Sequence, residues 1–202
     1  MKEFATKVSS RPRQRLALIG LFAVFFVPIL IAWWMSLHSD YWRPSTTVNK
    51  GTLVVPTRPL VATGLRYLDG RSYDSAFFEH GWTLVVVDSS ACAEVCERQL
   101  VSMRQARLAL GKEIDRVQDL YASLKRPEPA RVAEIQRAHP ELNIAQANQQ
   151  WMASFNLDAN SSPGGIYLVD PQGRVMMHYG DNAGAKEILE DLQRLLKISK
   201  IG

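Results

Sequence analysis

The two cysteines of the chain, Cys92 and Cys96, are the residues best suited to covalent chemistry. Their C-x-x-x-C spacing lies where an apolar, β-branched run ends and a helical pattern begins. Because the N–H groups and the dipole at a helix N-terminus stabilise a thiolate, this junction favours reactive sulfur. We therefore expect Cys92 to be the nucleophile, with Cys96 one helical turn away as the resolving thiol.

The same pair of cysteines is compatible with two other roles. Two soft thiolates can hold Cu(I), which makes Cys92 and Cys96 candidate metal ligands as well. Alternatively, the two residues form a permanent disulfide across a very short loop, which adds little to stability through chain entropy. The spacing alone does not choose between thiol–disulfide exchange, copper binding and a structural bridge.

The elements that would position the cysteines can be predicted from hydrophobic patterns. Thr83 to Asp88 is a short β-branched run bounded by Gly81 and Ser89, which is typical of a strand buried on both faces. Apolar residues then recur every three or four positions from Leu100 to Leu110, which predicts a helix. A central strand therefore runs into a helix across the two cysteines.

The remaining patterns complete an α/β domain. Val117 to Leu124 predicts a further strand, and helical patterns follow from Ala130 to Ala138 and from Ile144 to Phe155. Ile166 to Tyr179 predicts a β-hairpin, and a closing amphipathic helix follows it around Ile188 to Leu195. This order predicts a thioredoxin-like sandwich, in which helices flank a central mixed sheet.

An uncharged stretch of twenty residues, Leu16 to Met35, predicts a single transmembrane helix. At a rise of about 1.5 Å per residue it covers about 30 Å of hydrocarbon. Five basic residues precede it within the first fifteen positions, whereas residues 36–40 on its other side include no Lys or Arg. By the positive-inside rule the N-terminus is cytoplasmic. We expect a single-pass protein of the cell inner membrane with a periplasmic C-terminal domain.

The composition divides the chain into four segments. Residues 1–15 form a basic tail, 16–36 the transmembrane helix, 37–63 an extended linker punctuated by prolines, and 64–200 the exported domain. The formal net charge of +4 is concentrated in the tail beside the membrane segment. The sequence therefore predicts the membrane as a partner and no nucleic acid.

Five motifs of the exported domain follow one another as in a known family. They are Leu68-Asp69-Gly70, Gly81-Trp82, the strand Leu84 to Asp88, the segment Cys92 to Cys96, and Tyr167 to Gly173. Together they resemble the SCO family. That resemblance implies a membrane-tethered thioredoxin fold that binds copper, or acts as a thiol–disulfide reductase, during assembly of the copper site of cytochrome c oxidase. It also implies an oxidase subunit or a copper chaperone as partner.

Two departures from the SCO pattern affect the expected copper site. Ala93 and Glu97 stand where the family has a proline after each cysteine, and Ser162 stands where the family has a copper-ligand histidine. Two thiolates without that imidazole lack the third ligand of a trigonal Cu(I) site. His178, on the second strand of the predicted hairpin, is the remaining candidate for this ligand. The alternative is a histidine that is packed or solvated on its strand.

Two further features border the predicted site. Ser162 and Pro163 precede the hairpin, about where thioredoxin-like reductases place a cis-proline beside their cysteines. We expect them to border a substrate groove, with an ordinary proline at the start of a strand as the alternative. Asp88, at the end of the buried strand, is a candidate to assist proton transfer from the resolving thiol, with a capping or solvent-facing carboxylate as the alternative that we favour.

Overall fold

The structure is a computed structural model that describes residues 12–37, 48–60, 64–74, 76–89, 92–155 and 164–199. The chain divides into two compact units, Met1–Thr47 and Val48–Gly202. The first unit contains helix α1, Pro12–Leu37. Its stretch Leu16–Met35 is long and apolar enough to cross a membrane, and none of it is buried within the structure. An apolar helix therefore occupies the position predicted from the sequence.

The second unit is built on one mixed sheet. Its seven described strands lie in the spatial order β1-β7-β6-β3-β4-β5-β2. The strands are β1 (Thr52–Pro59), β2 (Leu65–Tyr67), β3 (Trp82–Asp88), β4 (Val117–Ser123), β5 (Asn143–Ala147), β6 (Ile166–Val169) and β7 (Arg174–Tyr179). The helices of this unit are α2 (Glu94–Leu108), α3 (Pro129–Ala138), α4 (Gln149–Ala153) and α5 (Ala185–Ile198).

Strand β3 is the centre of the sheet. It pairs in parallel with β4 and antiparallel with β6, and its residues from Trp82 to Val87 are all buried. Leu84 and Val86 face a core beneath α2, α3 and α5, whereas Val85 and Val87 face an aromatic core with α4 on the other side. Two apolar layers therefore cover the strand, as its continuous apolar run predicts.

The predicted fold class is confirmed. The strand before the cysteines is β3, and the helix after them is α2. The predicted hairpin is formed by β6 and β7, which pair antiparallel, and α5 closes the domain. These elements are specified locally, by β-branched runs, by a turn at residues 170–173 and by helical spacing of apolar residues.

The helical interpretation of Ile144 to Phe155 is wrong for its first half. Residues Asn143–Ala147 form β5, which pairs in parallel with β4 and antiparallel with β2. The backbone hydrogen bonds to these two neighbours outweigh a weak helical spacing. A helix begins only at α4, where the Asn148 side chain caps it by accepting the N–H of Trp151 at 2.8 Å.

Part of the segment predicted as an extended linker is also different. Thr52–Pro59 is an edge strand, β1, which pairs antiparallel with β7. Its prolines are compatible with this position because an edge strand leaves N–H groups unpaired on one side. The start of the strand is held by Asp191 of α5, whose carboxylate accepts the N–H groups of Lys50 and Gly51 at 2.9 Å each.

Candidate functional site

Cys92 and Cys96 form a disulfide at the carboxyl end of β3, with their Cα atoms 5.1 Å apart. Cys92 precedes α2, and Cys96 lies in the first turn of that helix. The two residues are only 2% and 5% exposed and pack into the apolar core beneath α2. The structure therefore brings the two predicted site residues together at the predicted strand-to-helix junction.

The backbone of Cys92 is held in an uncommon conformation. Its φ is 55°, in the left-handed region that favours glycine. Asp88 Oδ2 accepts the Cys92 N–H at 2.8 Å, and Arg131 Nη2 of α3 donates to the Cys92 carbonyl at 2.9 Å. Such a conformation persists only where neighbouring groups enforce it. Asp88 therefore holds the residue before α2 rather than capping the helix, whose N-cap Ala93 receives no side-chain hydrogen bond. Arg131 secures the other side of Cys92.

Arg131 also links the disulfide loop to two acidic side chains. It forms ion pairs with Glu97, one residue after Cys96, and with Glu134 Oε2 at 2.7 Å. The hydrogen bonds to Glu97 and Glu134 raise the pKa of the Arg131 guanidinium above its usual range. The cation is thus shared between two anions. The N–H groups at the start of α2, rather than an excess of positive charge, would stabilise a thiolate here.

Tyr121 of β4 lies in the same core as the cysteines. It pairs in register with Val86 of β3, two residues before Asp88. Its side chain is fully buried, and Asp88 and Ser123 act on its hydroxyl. Burial raises the pKa of this hydroxyl to about 12. Neither Tyr121 nor Arg131 is marked by a sequence motif, because only the tertiary fold brings β4 and α3 to this end of the domain.

His178 lies on the opposite side of the sheet from the cysteines. Its ring packs on Tyr167, with centroids 4.6 Å apart, and its Nε2 is 3.1 Å from the Gly164 carbonyl oxygen. Tyr167 belongs to the aromatic core on the far face. The fold therefore does not bring His178 to the disulfide. Ser162 and Pro163 lie outside the described residues.

The donor set at the junction can be compared with the needs of Cu(I). Reduction would provide two thiolates, which are suitable soft ligands. Within the residues that the structure describes, no group of three or more His, Cys, Asp or Glu side chains is arranged to hold a metal ion. The described site therefore offers Cu(I) two sulfur ligands, and a third would have to come from elsewhere.

The thioredoxin-like fold resembles that of solved Sco proteins. Apo Sco1 from Thermus thermophilus superimposes with a TM-score of 0.57 and 19% identity, covering 75% of this chain and 99% of that one. Yeast Sco1 superimposes with a TM-score of 0.58 and 18% identity, covering 72% of this chain and 97% of that one. BsSco, a member of the Sco family of cytochrome c oxidase assembly proteins in which a disulfide switch has been identified, superimposes with a TM-score of 0.52 and 14% identity, covering 77% of this chain and 100% of that one. Because these sequence identities are below 25%, the likeness confirms the predicted resemblance to Sco proteins at the level of the fold.

The comparison with protein families assigns the chain to a family, whereas the solved structures show only its fold. No curated protein matches the chain. Residues 9–36 match the family described as "Transmembrane-like, N-terminal domain". Residues 82–199, more than half of the chain, match "Transmembrane-like, thioredoxin-like, C-terminal domain". The chain therefore belongs to the family of transmembrane-like proteins with a thioredoxin-like C-terminal domain.

Proposed function

We propose that this chain is a membrane-anchored, Sco-like thiol–disulfide protein that uses Cys92 as nucleophile and Cys96 as resolving thiol. The observation that carries the proposal is the conformation of Cys92. The residue is held at a positive φ between Asp88 and Arg131, next to its disulfide partner at a helix N-terminus. Strained backbone of this kind concentrates at functional sites. A bridge across so short a loop contributes little as a purely structural constraint.

The exchange reaction follows from the two sulfurs. In the reduced protein, the Cys92 thiolate attacks a sulfur of a partner disulfide, forms a mixed disulfide and releases one partner thiolate. The Cys96 thiolate then attacks the Cys92 sulfur, which re-forms the Cys92–Cys96 bond and releases the second partner thiolate. The partner gains two electrons, and the cysteine pair loses two. A Cα separation of 5.1 Å allows the second step with little backbone movement.

The proposed setting is assembly of a respiratory oxidase. Its support is the likeness to Sco proteins, one of which is a member of the Sco family of cytochrome c oxidase assembly proteins with a disulfide switch. The partner would be an oxidase subunit or a copper chaperone. The apolar helix and the basic residues before it support a single pass through the cell inner membrane, with a cytoplasmic N-terminus and a periplasmic domain.

One observation favours a second function, in which the domain docks on an assembling complex and its disulfide is permanent. The two cysteines are almost fully buried, whereas reactive cysteines are usually accessible in part. Binding of Cu(I) by the same two thiolates would need a third ligand from a partner, since His178 lies on the other face. These alternatives make different predictions for trapping of a partner.

The proposal is tested by trapping the mixed disulfide. The Cys96→Ser variant of the full membrane-anchored chain keeps the nucleophile and lacks the thiol that resolves the intermediate. Membranes are quenched with acid and alkylated, and disulfide-linked species are separated without reductant. We expect a partner-linked species that disappears on reduction, and much less of it with the matched control Cys92→Ser. Equal or no trapping by the two variants would contradict the assigned roles.

A further inference from the structure

A buried carboxyl group lies in a cavity beneath the C-terminal half of α2. Asp119 of β4 is only 6% exposed, and it lines a cavity of about 80 Å³ together with residues of α2 and of the segment 139–142. Its Oδ1 atom makes no hydrogen bond to a described residue. A buried oxygen without a partner costs free energy, so this exception calls for an occupant of the cavity. A cavity of this size has room for several waters or for a small ligand group.

The fixed charges around this carboxyl group are mainly positive. Arg104 and Arg107 lie about one helical turn apart on α2, and both line the cavity. Arg107 forms an ion pair with Glu141 at 2.5 Å, and the charge of Arg104 acts on the same carboxylate. Two guanidinium groups and one ionised carboxylate therefore surround Asp119, which leaves one positive charge in excess when Asp119 is protonated.

Burial decides the protonation of the two other titratable groups that line the cavity. It raises the pKa of Asp119 to about 7, so this carboxyl keeps its proton below that pH. Burial and the charge of Arg104 lower the pKa of His139, so its imidazole is neutral in the same range. A protonated carboxyl group has an O–H donor to offer, and here no described residue accepts from it.

A small anion fits an O–H donor beside an excess positive charge. We propose that the cavity binds a carboxylate, which accepts a hydrogen bond from the protonated Asp119 and lies beside the guanidinium groups of Arg104 and Arg107. Hydrogen bonds from a carboxylic acid or a guanidinium to a carboxylate are short and charge-assisted. A cation would lie against the same two arginines. The carboxylate belongs either to a free acid or to the C-terminus of a partner chain, and both present the same group.

The test follows the ionisation of Asp119 in the full chain, purified in detergent micelles. Carbon-labelled aspartate gives its carboxyl resonance, which Asp119→Asn identifies by its loss. An anion that binds the protonated form raises the pKa, and about 0.1 M acetate should raise it by about one unit if the dissociation constant is about 10 mM. A pKa equal to that in sodium chloride of the same ionic strength would overturn the proposal. A lower pKa in methylammonium chloride would indicate a cation site and would also overturn it.

Two arginine variants and a second carboxylate sharpen the test. Arg104→Gln removes a guanidinium group of the cavity and should weaken acetate binding about tenfold. The matched control Arg98→Gln removes an exposed arginine of the same helix, which pairs with Glu94 at 2.9 Å, and should leave acetate binding unchanged. Equal binding by the two variants would overturn the proposal. N-acetylglycine distinguishes the sources of the carboxylate: tighter binding than acetate indicates the C-terminus of a chain, and equal or weaker binding indicates a free acid.

Discussion

The domain contains two groups of buried polar side chains that the fold treats differently. Around Asp191, every partner is present: its carboxylate accepts the N–H groups of Lys50 and Gly51 and the hydroxyl of Tyr179. By contrast, the Nε1 atom of Trp82 on β3 and the Oδ1 atom of Asp119 on β4 are buried without a hydrogen bond to any residue that the structure describes. The first group joins β1 to α5, and the second lies beneath α2.

The fully hydrogen-bonded group stabilises one arrangement of the fold, whereas the unsatisfied group can change its interactions when its surroundings change. A satisfied network in a low-dielectric interior fixes one arrangement, and removing a member leaves the others unpaired. An unsatisfied group costs stability and gains a partner only when its surroundings change. For Asp119 such a change is a change of pH, because burial raises the pKa of its carboxyl to about 7.

The largest expected effect is at Asp191. Asp191→Ala leaves two backbone N–H groups and the Tyr179 hydroxyl without their shared acceptor. We expect a loss of about 4 kcal/mol in the free energy of unfolding. Urea denaturation monitored by circular dichroism measures it. Glu190→Ala, on the same helix with only ion pairs of 3.9 and 4.0 Å, is the control and should change little. A loss below about 1 kcal/mol at Asp191 would contradict the structural role of this network.

Asp119 should give a strong dependence of stability on pH. Burial raises its pKa to about 7, whereas an unfolded aspartate ionises near its usual value. Between these values the folded protein binds more protons than the unfolded chain, so stability falls as pH rises and is lowest above about 7. Asp119→Asn removes the loss of stability that ionisation of the buried carboxyl causes. We expect the variant to gain on the order of 3 kcal/mol relative to wild type between pH 4 and pH 8.

The check is a pair of denaturation curves at several pH values. The difference in unfolding free energy between Asp119→Asn and wild type should grow from pH 4 to pH 7 and then remain constant. A difference that does not vary with pH would show that Asp119 is ionised in the folded protein. The cavity of about 80 Å³ that Asp119 lines with Arg107 and His139 would then contain enough compensation for its charge.

The close packing at the Asp191 network gives a smaller effect. A Cβ added at Gly51 would lie 2.7 Å from Cε1 of the Tyr179 ring, which is itself fixed by its bond to Asp191. We expect Gly51→Ala to lower the free energy of unfolding by about 2 kcal/mol. Gly180→Ala is the matched control, because nothing lies within 4 Å of its added Cβ. Equal stabilities of the two variants would mean that β1 can shift away from the ring.

The smallest effect removes one hydrogen bond of the Asp191 network. Tyr179→Phe removes the hydrogen bond from the Tyr179 hydroxyl to Asp191 and should cost about 1 kcal/mol in the free energy of unfolding. Thermal unfolding measures this change. An unchanged stability would show that this hydroxyl adds nothing to the network.

Local patterns were sufficient to predict much of this fold. The buried run before the cysteines, the helix after them and the hairpin of β6 and β7 are each specified by neighbouring residues. The strands β1 and β5 were not predicted as strands. β1 contains prolines typical of a linker, and β5 has a spacing that also suits a helix, so only pairing with β7, β4 and β2 defines them.

The candidate site was predictable to a similar extent. The spacing of Cys92 and Cys96 was enough to place a cysteine pair at a strand-to-helix junction. Arg131 and Tyr121 come from α3 and β4, which follow later in the chain, and only the tertiary fold brings them to the same end of the domain. His178 was a candidate ligand from the sequence, but the alternation of side chains along β7 places it on the face opposite the cysteines.

The reduction potential of the Cys92–Cys96 couple tests the central claim most directly. The full chain in detergent micelles is equilibrated in thiol buffers of known potential, and Cu(I) is then titrated into the reduced form. A redox-active pair should have a potential above about −300 mV and take up no stoichiometric copper. A potential well below about −300 mV would identify a structural disulfide and contradict the proposed exchange. Tight binding of one Cu(I) per chain would instead assign the two thiolates to copper transfer.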